Sequence, residues 1–485
     1  MSLAIKIFYI KSDLMLSMAN ATEVSQLNAQ ELLALFRAQE LSPVDVVTDA
    51  LDRIARFEPL INAFVIVDAD KALAAARASQ ARWQKGAPVG SLDGIPATIK
   101  DNIDVKGLPS RKGSATTSTT AAAADAPAVA RLREQGAIIL GKTTLPEYGW
   151  IGACHSPLTG ITRNPWNRAR TTGGSSGGAA AAALLNLGVL HLGTDGAGSI
   201  RIPAAFTGVF GIKPSYGRVP TFPPSPFTVL AHQGPLTRTV ADAALMLSVI
   251  SGPDARDMTA WNAPAPDFQA GLDTGVRDLR IAWSPRLGYV KELDAEVEAA
   301  ARNAAQVFEA LGAHVEEVDP GFAEPIGIID VIWTAVATTI VDAVPPPQRE
   351  LMDDDFRRMA ESGRRYLLAE YLAAHVRRTE LAEHMRRFHE RYDLLLTPQM
   401  PIPALDAGRV TPADRRFGDN WIGWSPYTYP FNLTQQPAAS VPCGFVGGLP
   451  VALQIVGPAR NDALVLRAAR ALEIARPFKT LSAPL

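Results

Sequence analysis

The stretch Thr171–Gly208, TTGGSSGGAAAAALLNLGVLHLGTDGAGSIRIPAAFTG, decides how the chain is read, because it sets two glycine-wrapped serine clusters inside one supersecondary unit. In Gly173–Gly178 the glycines free the backbone around Ser175 and Ser176 to take positive φ or to approach another group closely. Ala179–Leu185 is a helix-forming run, and Val189–Leu192 reads as a buried strand. That strand ends in the second cluster, Gly193-Thr194-Asp195-Gly196-Ala197-Gly198-Ser199, after which Ile200–Ala204 suits a helix start with the Ser199 hydroxyl at its cap. Successive N–H groups of such a loop, added to a helix N-terminus, converge and attract negative charge. The unit therefore fits a nucleophile, Ser199, built into an oxyanion hole of the Gly196, Ala197 and Gly198 amides. The same residues also fit a plain turn with a capped helix.

Outward from this unit, strands alternate with helices. Apolar residues recur at helical spacing over Ala29–Arg37 and Ser42–Arg56, the second opened by Ser42-Pro43. Ile61–Val67 reads as a strand, Lys71–Trp83 as a helix, and Ile95–Lys100 as a short strand that delivers Lys100 into the turn Asp101–Asp104. Ala126–Gln135 (helix), Ala137–Leu140 (strand) and Thr144–Trp150 (short helix) follow, and beyond the serine region come Val209–Lys213 (strand) and Val240–Ile250 (helix). Leu279–Trp283, Asp294–Leu311 and His314–Val318 form a strand–helix–strand unit. From about 320 to 424 long helices take over, interrupted by Pro345-Pro346-Pro347 and decorated with arginines that read as solvated. Leu394–Thr397, Ala438–Phe445 and Pro450–Val456 read as strands, the last two joined by Gly447-Gly448, and Ala463–Ala475 as the final helix. The expected fold is α/β: one large domain with a mixed, mainly parallel central sheet covered by helices on both faces. Residues 1–24 read as an N-terminal extension, 25–485 as the domain, and about 320–435 as its helical substrate-pocket region.

Composition narrows the function. With 485 residues, 47% hydrophobic and 20% charged, and a net charge of −2, the chain has no basic surface that calls for nucleic acid. Its two cysteines, Cys154 and Cys443, argue against a disulfide framework and for a reducing, cytoplasmic setting. No apolar run is expected to span a membrane.

Several familiar chemistries fail on local context. Gly136–Thr143 satisfies the P-loop pattern in letters, but its four intervening residues are themselves the apolar strand, so Lys142 reads as a strand end and not as a phosphate ligand. Gly173–Gly177 matches G-x-S-x-G, yet the polar, turn-like Asn164–Arg170 replaces the buried strand that such an elbow requires. None of the seven histidines stands in a recognisable catalytic setting. His384 and His389 are five apart on a helix and face different ways, so no metal site is expected. Cys154 reads as a small packed thiol. A serine without a histidine needs another base, and a lysine serves if burial or nearby positive charge lowers its pKa from about 10.4. Lys100, at the end of an apolar strand, has that local character.

The segments GIPATIKDNIDVKG around Lys100, GGSSGG around Ser175 and GTDGAGSIRIPAAFTGVFGIKP around Ser199 resemble, in order and separation, the three defining segments of the amidase signature family. LREQGAIILGKTTLPE, TRNPWN, QGPLTRTVADAALML, DLLLTP and LPVALQIVGP extend the resemblance over about 29–475. The resemblance implies a Ser-cisSer-Lys triad, with Ser199 as nucleophile, Ser175 as bridging serine on a cis peptide and Lys100 as base. Ser176 then belongs to the hydrogen-bond network, and Asp195 and Arg201 support the loop; Ala197 stands where many members carry glycine. The implied reaction is hydrolysis of a small-molecule amide without metal or organic cofactor. Its alternative is the glutaminase component of a tRNA-dependent amidotransferase, which works with partner subunits; a homodimer is the expectation for a free-standing enzyme. Trp421, Trp424, Tyr427, Tyr429 and Phe431 are candidates either for an apolar acyl pocket or for core.

Overall fold

The computed structural model describes residues 24–478, so nearly all of the expected extension 1–24 lies outside the described residues. Helix starts follow local chemistry. Asn28 caps α1 (Ala29–Ala38) in a capping box with Glu31. Ser42 does the same with Asp45 for α2 (Pro43–Ile61), where Pro43 occupies the first turn. The second helix outruns its expected end and shortens the following strand to β1 (Phe64–Val67), because Asn62 at φ 60° closes it and both Glu58 oxygens accept the Ala63 and Phe64 N–H groups.

The central sheet holds eleven strands. After β1 come α3 (Ala69–Gln84), β2 (Pro96–Lys100), α4 (Pro127–Glu134), β3 (Ile138–Thr143), α5 (Gly177–Leu184), β4 (Leu190–Asp195), α6 (Arg201–Thr207), β5 (Phe210–Lys213), β6 (His232–Thr237) and α7 (Val240–Ile250). The second half contributes β7 (Arg280–Trp283), α8 (Ala295–Ala310), β8 (His314–Glu317), α9 (Ile326–Ala343), α10 (Asp354–Gly363), α11 (Leu368–Phe388), β9 (Leu394–Pro398), β10 (Ala438–Val446), β11 (Leu449–Val456) and α12 (Asp462–Ala475). The strand order is β1-β3-β2-β4-β6-β5-β10-β11-β9-β7-β8.

The sheet is mixed, but parallel pairing is confined to two blocks, β3-β2-β4 and β9-β7-β8, instead of predominating. Between them the pairs are antiparallel. The reason is local. β10 and β11 are joined by a tight turn at Gly447 and Gly448, both at positive φ, which forces antiparallel pairing. Strand β6, HQGPLT, was not expected at all: glycine and proline give it poor strand propensity, and its pairing with β4 and β5 supplies what the local sequence lacks. Helices cover both faces. Ile139 of β3 belongs to the core that α4, α7, α8 and α12 fill on one side, while Ile138 and Leu140 belong to the one filled by α2, α3 and α5 on the other.

Contrary to the expectation of no membrane-length segment, α9 is 18 residues of mean hydropathy 1.7, long and apolar enough to cross a bilayer by length and composition. Its apolar character has a packing cause, since Ile329, Ile332, Trp333 and Ala337 are buried in the second core against α10, α11 and the aromatic residues near Trp424. Arg364, Arg386 and Arg387 are exposed and pair with carboxylates, as their position on helical faces implies.

Candidate active site

The site lies at the carboxyl ends of the parallel block β3-β2-β4, where open α/β sheets leave a crevice. Ile99 is in register with Leu192 and Lys100 with Thr143, so Lys100 on β2 and Thr194 on β4 arrive at the same edge. Two short loops meet them there, one carrying Ser175 and Ser176 into α5, the other carrying Ser199 into α6. The Ser176 N–H donates to the Ser199 carbonyl oxygen at 3.0 Å and ties the loops together. No side chain fits at Gly174, where an added Cβ would lie 2.1 Å from the Ala153 oxygen. The Gly174–Ser175 peptide is cis.

Lys100 is fully buried. Its Nζ lies 2.7 Å from Ser175 Oγ, 2.9 Å from Ser176 Oγ and 2.8 Å from Thr194 Oγ1, with the Thr194 carbonyl oxygen at 3.4 Å. Among the described residues no carboxylate stands within ion-pair distance of it. Burial therefore prevails over the more distant Cys154 and Asp195 charges and lowers its pKa to about 7. A neutral amine has two N–H groups and one lone pair, so an arrangement in which it donates to Thr194 Oγ1 and Ser176 Oγ and accepts from the Ser175 hydroxyl uses all three. Ser176 Oγ in turn donates to the Thr194 oxygen at 3.1 Å. Thr194 was missed in the sequence; the signal was its place at the end of a strand neighbouring the one that carries the lysine. Asn102, whose Nδ2 donates to Thr194 Oγ1 at 3.1 Å, was missed with it.

The Ser199 loop differs from expectation in two respects. Asp195 accepts the Gly198 N–H at 2.7 Å and the Ile200 N–H at 3.1 Å, so Gly198 is not a free oxyanion donor. With the carboxylate in that place the Ser199 hydroxyl is not the cap of α6, which begins beyond Ile200 without a side-chain cap bond. The N–H groups of Gly196, Ala197 and Ser199 meet no acceptor among the described residues. Asp195 is itself held by Arg201 at 3.0 Å, both side chains fully buried, and that charge keeps its carboxyl well below the usual range against the opposing effect of burial. Arg201 also donates to Gln454 Oε1 at 2.7 Å, to Asn432 Oδ1 at 2.6 Å and to the Thr428 oxygen at 3.0 Å. These C-terminal partners, more than 220 positions away, had no local signal. Removing one member of a buried, fully bonded ion pair costs about 3–5 kcal/mol. Arg201→Ala is accordingly expected to lower unfolding free energy by about that amount in urea titration.

Ser175, Thr194, Gly196 and Ser199 open onto a cavity of about 370 Å³. Its other walls are Phe222, Phe227 and the prolines between them, Trp333, Ile340 and Val344 of α9 and the residue beyond it, and a polar stretch including Asp104, Lys112 and Tyr148. Of the helical region 320–435, the lining residues lie between Trp333 and Pro345. Trp421, Trp424, Tyr427, Tyr429 and Phe431 line none of it; they are fully buried core, with Trp424 stacked on Phe206. Lys142 is a buried strand residue 2.9 Å from Asp101 Oδ1, its charge committed there. His384 and His389 bond to separate carbonyls, and burial pushes the Cys154 thiol up.

The Amidase family model matches residues 45–466. The chain is 38% identical to a glutamyl-tRNA(Gln) amidotransferase subunit of Myxococcus xanthus, over 96% of this chain and 100% of that one. It is 36% identical to an acylamidase of Rhodococcus erythropolis, over 93% and 96% respectively. Among solved structures it is similar to a bacterial aryl acylamidase of the amidase signature enzymes, with TM-score 0.87, 32% identity and coverage of 93% and 96%.

Proposed function

The chain belongs to the amidase signature family, enzymes that hydrolyse C–N amide bonds, and on that premise we propose that it converts a carboxylic amide to a carboxylate and ammonia or an amine through an acyl-enzyme on Ser199. The observation that carries this reading is the buried Lys100 amine, 2.7 Å from Ser175 Oγ, with burial holding its pKa near the working range of a base.

In the proposed cycle Ser199 Oγ bonds to the amide carbon as its proton passes to Ser175, whose own proton passes to neutral Lys100. The tetrahedral oxygen is received by the Gly196 and Ala197 N–H groups with that of Ser199. The C–N bond then breaks, the leaving nitrogen takes a proton back through Ser175, and water repeats the sequence on the ester to release the acid. Asp195 and Arg201 position these groups without touching the reacting atoms, while Ser176 Oγ, 2.9 Å from Lys100 Nζ, holds the amine directly. A sulfonyl fluoride reagent followed by peptide mass mapping tests the assignment: modification on Ser199 is expected, and labelling that falls on another serine would sink it.

Gly196→Ala probes the oxyanion loop. Its φ is not in the left-handed region, but an added Cβ would lie 3.1 Å from Trp333 Cζ3 and 3.3 Å from Cη2. The loop or the Trp333 ring must give by a few tenths of an ångström to relieve this, and a misplacement on the order of 1 Å costs about 10²-fold. A loss of kcat smaller than that, with little change in melting temperature, is expected.

The amidotransferase relative supports a second reading, a glutaminase that needs partner subunits. Glutamine hydrolysis assayed with and without those partners separates the two, since a free-standing amidase gains nothing from their addition.

A further inference from the structure

Trp333 reaches the site from α9, 137 residues after Gly196 in the chain, and its ring edge lies against the nucleophile loop at that glycine. Its only polar atom is spent, because Nε1 donates to the Trp150 oxygen at 3.1 Å, and this bond also fixes the plane of the ring. Phe227 packs on it with ring centroids 4.2 Å apart at 31°. About two turns along the same helix Ile340 continues the wall, Val344 extends it just past the helix end, and Phe222 stands across the proline loop. Two packed rings therefore line the cavity into which the Gly196 loop opens, Trp333 lying against that glycine, in a wall that offers no hydrogen bond and no charge. Of the charged lining residues, Asp195 is committed to Arg201, and Asp104 and Lys112 belong to the polar stretch that they share with a second cavity of about 340 Å³ lined by hydroxyls. Asp104 Oδ1 already accepts from Ser110 Oγ at 2.6 Å.

Building on the amidase reading, we propose that Trp333 and Phe227 form a binding wall for a ring-sized apolar group directly attached to the scissile amide, so that aromatic amides are substrates in preference to acetamide or free glutamine. The physical case is desolvation. A flat ring gains contact with both side chains and displaces water that this wall cannot hydrogen-bond. A zwitterionic glutamine head placed there would lose its hydration without compensation.

The test measures ammonia or aniline release from benzamide, acetanilide, acetamide and glutamine. Benzamide carries the ring on the acyl side and acetanilide on the amine side, so the pair reports which half of the substrate the wall holds. A higher kcat/KM for at least one aromatic amide than for acetamide and glutamine is expected. Trp333→Ala should lower the ratio of aromatic to acetamide kcat/KM by about 10- to 100-fold, whatever the absolute rates become. Val344→Phe, which fills the same wall, should lower it as well. The wall is also read without chemistry, by calorimetric titration of Ser199→Ala protein with benzamide, where adding Trp333→Ala should weaken binding by a similar factor. A ratio unmoved by both variants, or glutamine as the best substrate, would overturn the wall. Benzamide binding that depends on Trp333 in a protein that hydrolyses none of the amides would instead overturn the amidase reading and leave the wall standing.

Discussion

Replacing Ser199 with Ala is expected to lower kcat for amide hydrolysis by about 10⁴-fold or more, with the fold intact. The size follows from the proposed chemistry, in which without Ser199 Oγ no acyl-enzyme forms and only binding and the proposed oxyanion donors remain to assist water. The fold is expected to survive because the Ser199 contact that joins the two serine loops is made by its carbonyl oxygen, which alanine keeps. Rates by ammonia release and melting by circular dichroism check both halves. Full activity in the variant would remove Ser199 from the mechanism.

Lys100→Ala should cost a similar factor, about 10⁴-fold, because the members of a proton relay act as a unit. Here the pH profile is the sharper measurement. Lys100 serves as a base only when neutral, and burial has lowered its pKa to about 7, so kcat/KM in the wild type should rise through pH 7 and level off above it. Two pH units below that midpoint about one molecule in a hundred carries the neutral amine, and the rate should fall in proportion. The residual activity of Lys100→Ala should lack this inflection. A wild-type profile that is flat from pH 5 to 9 would show that Lys100 is not the titrating base. Part of the loss will be structural, since the vacated space leaves Ser175, Ser176 and Thr194 without their common partner. The missing inflection separates the chemical part from that one.

Sequence by itself determined most of the elements and named the candidate reacting groups. Apolar periodicity and the Ser42-Pro43 cap are local signals, and they place most of the helices within a few residues of where they are found. The motifs around Lys100, Ser175 and Ser199 carry their chemistry in their letters, and the failed P-loop and elbow readings were excluded by the residues beside them. Only the tertiary structure decided three things. Asp195 takes the Gly198 amide, so the free N–H groups of that loop narrow to Gly196, Ala197 and Ser199. Strand β6 forms because its neighbours complete it. The apolar wall is Trp333 with Phe227, and the aromatic run Trp421–Phe431, equally apolar in sequence, is packed away in the core. The reason is common to all three: which partner a backbone amide finds, and which way an aromatic ring faces, depend on groups tens to hundreds of positions distant. No periodicity or propensity within a local window contains them.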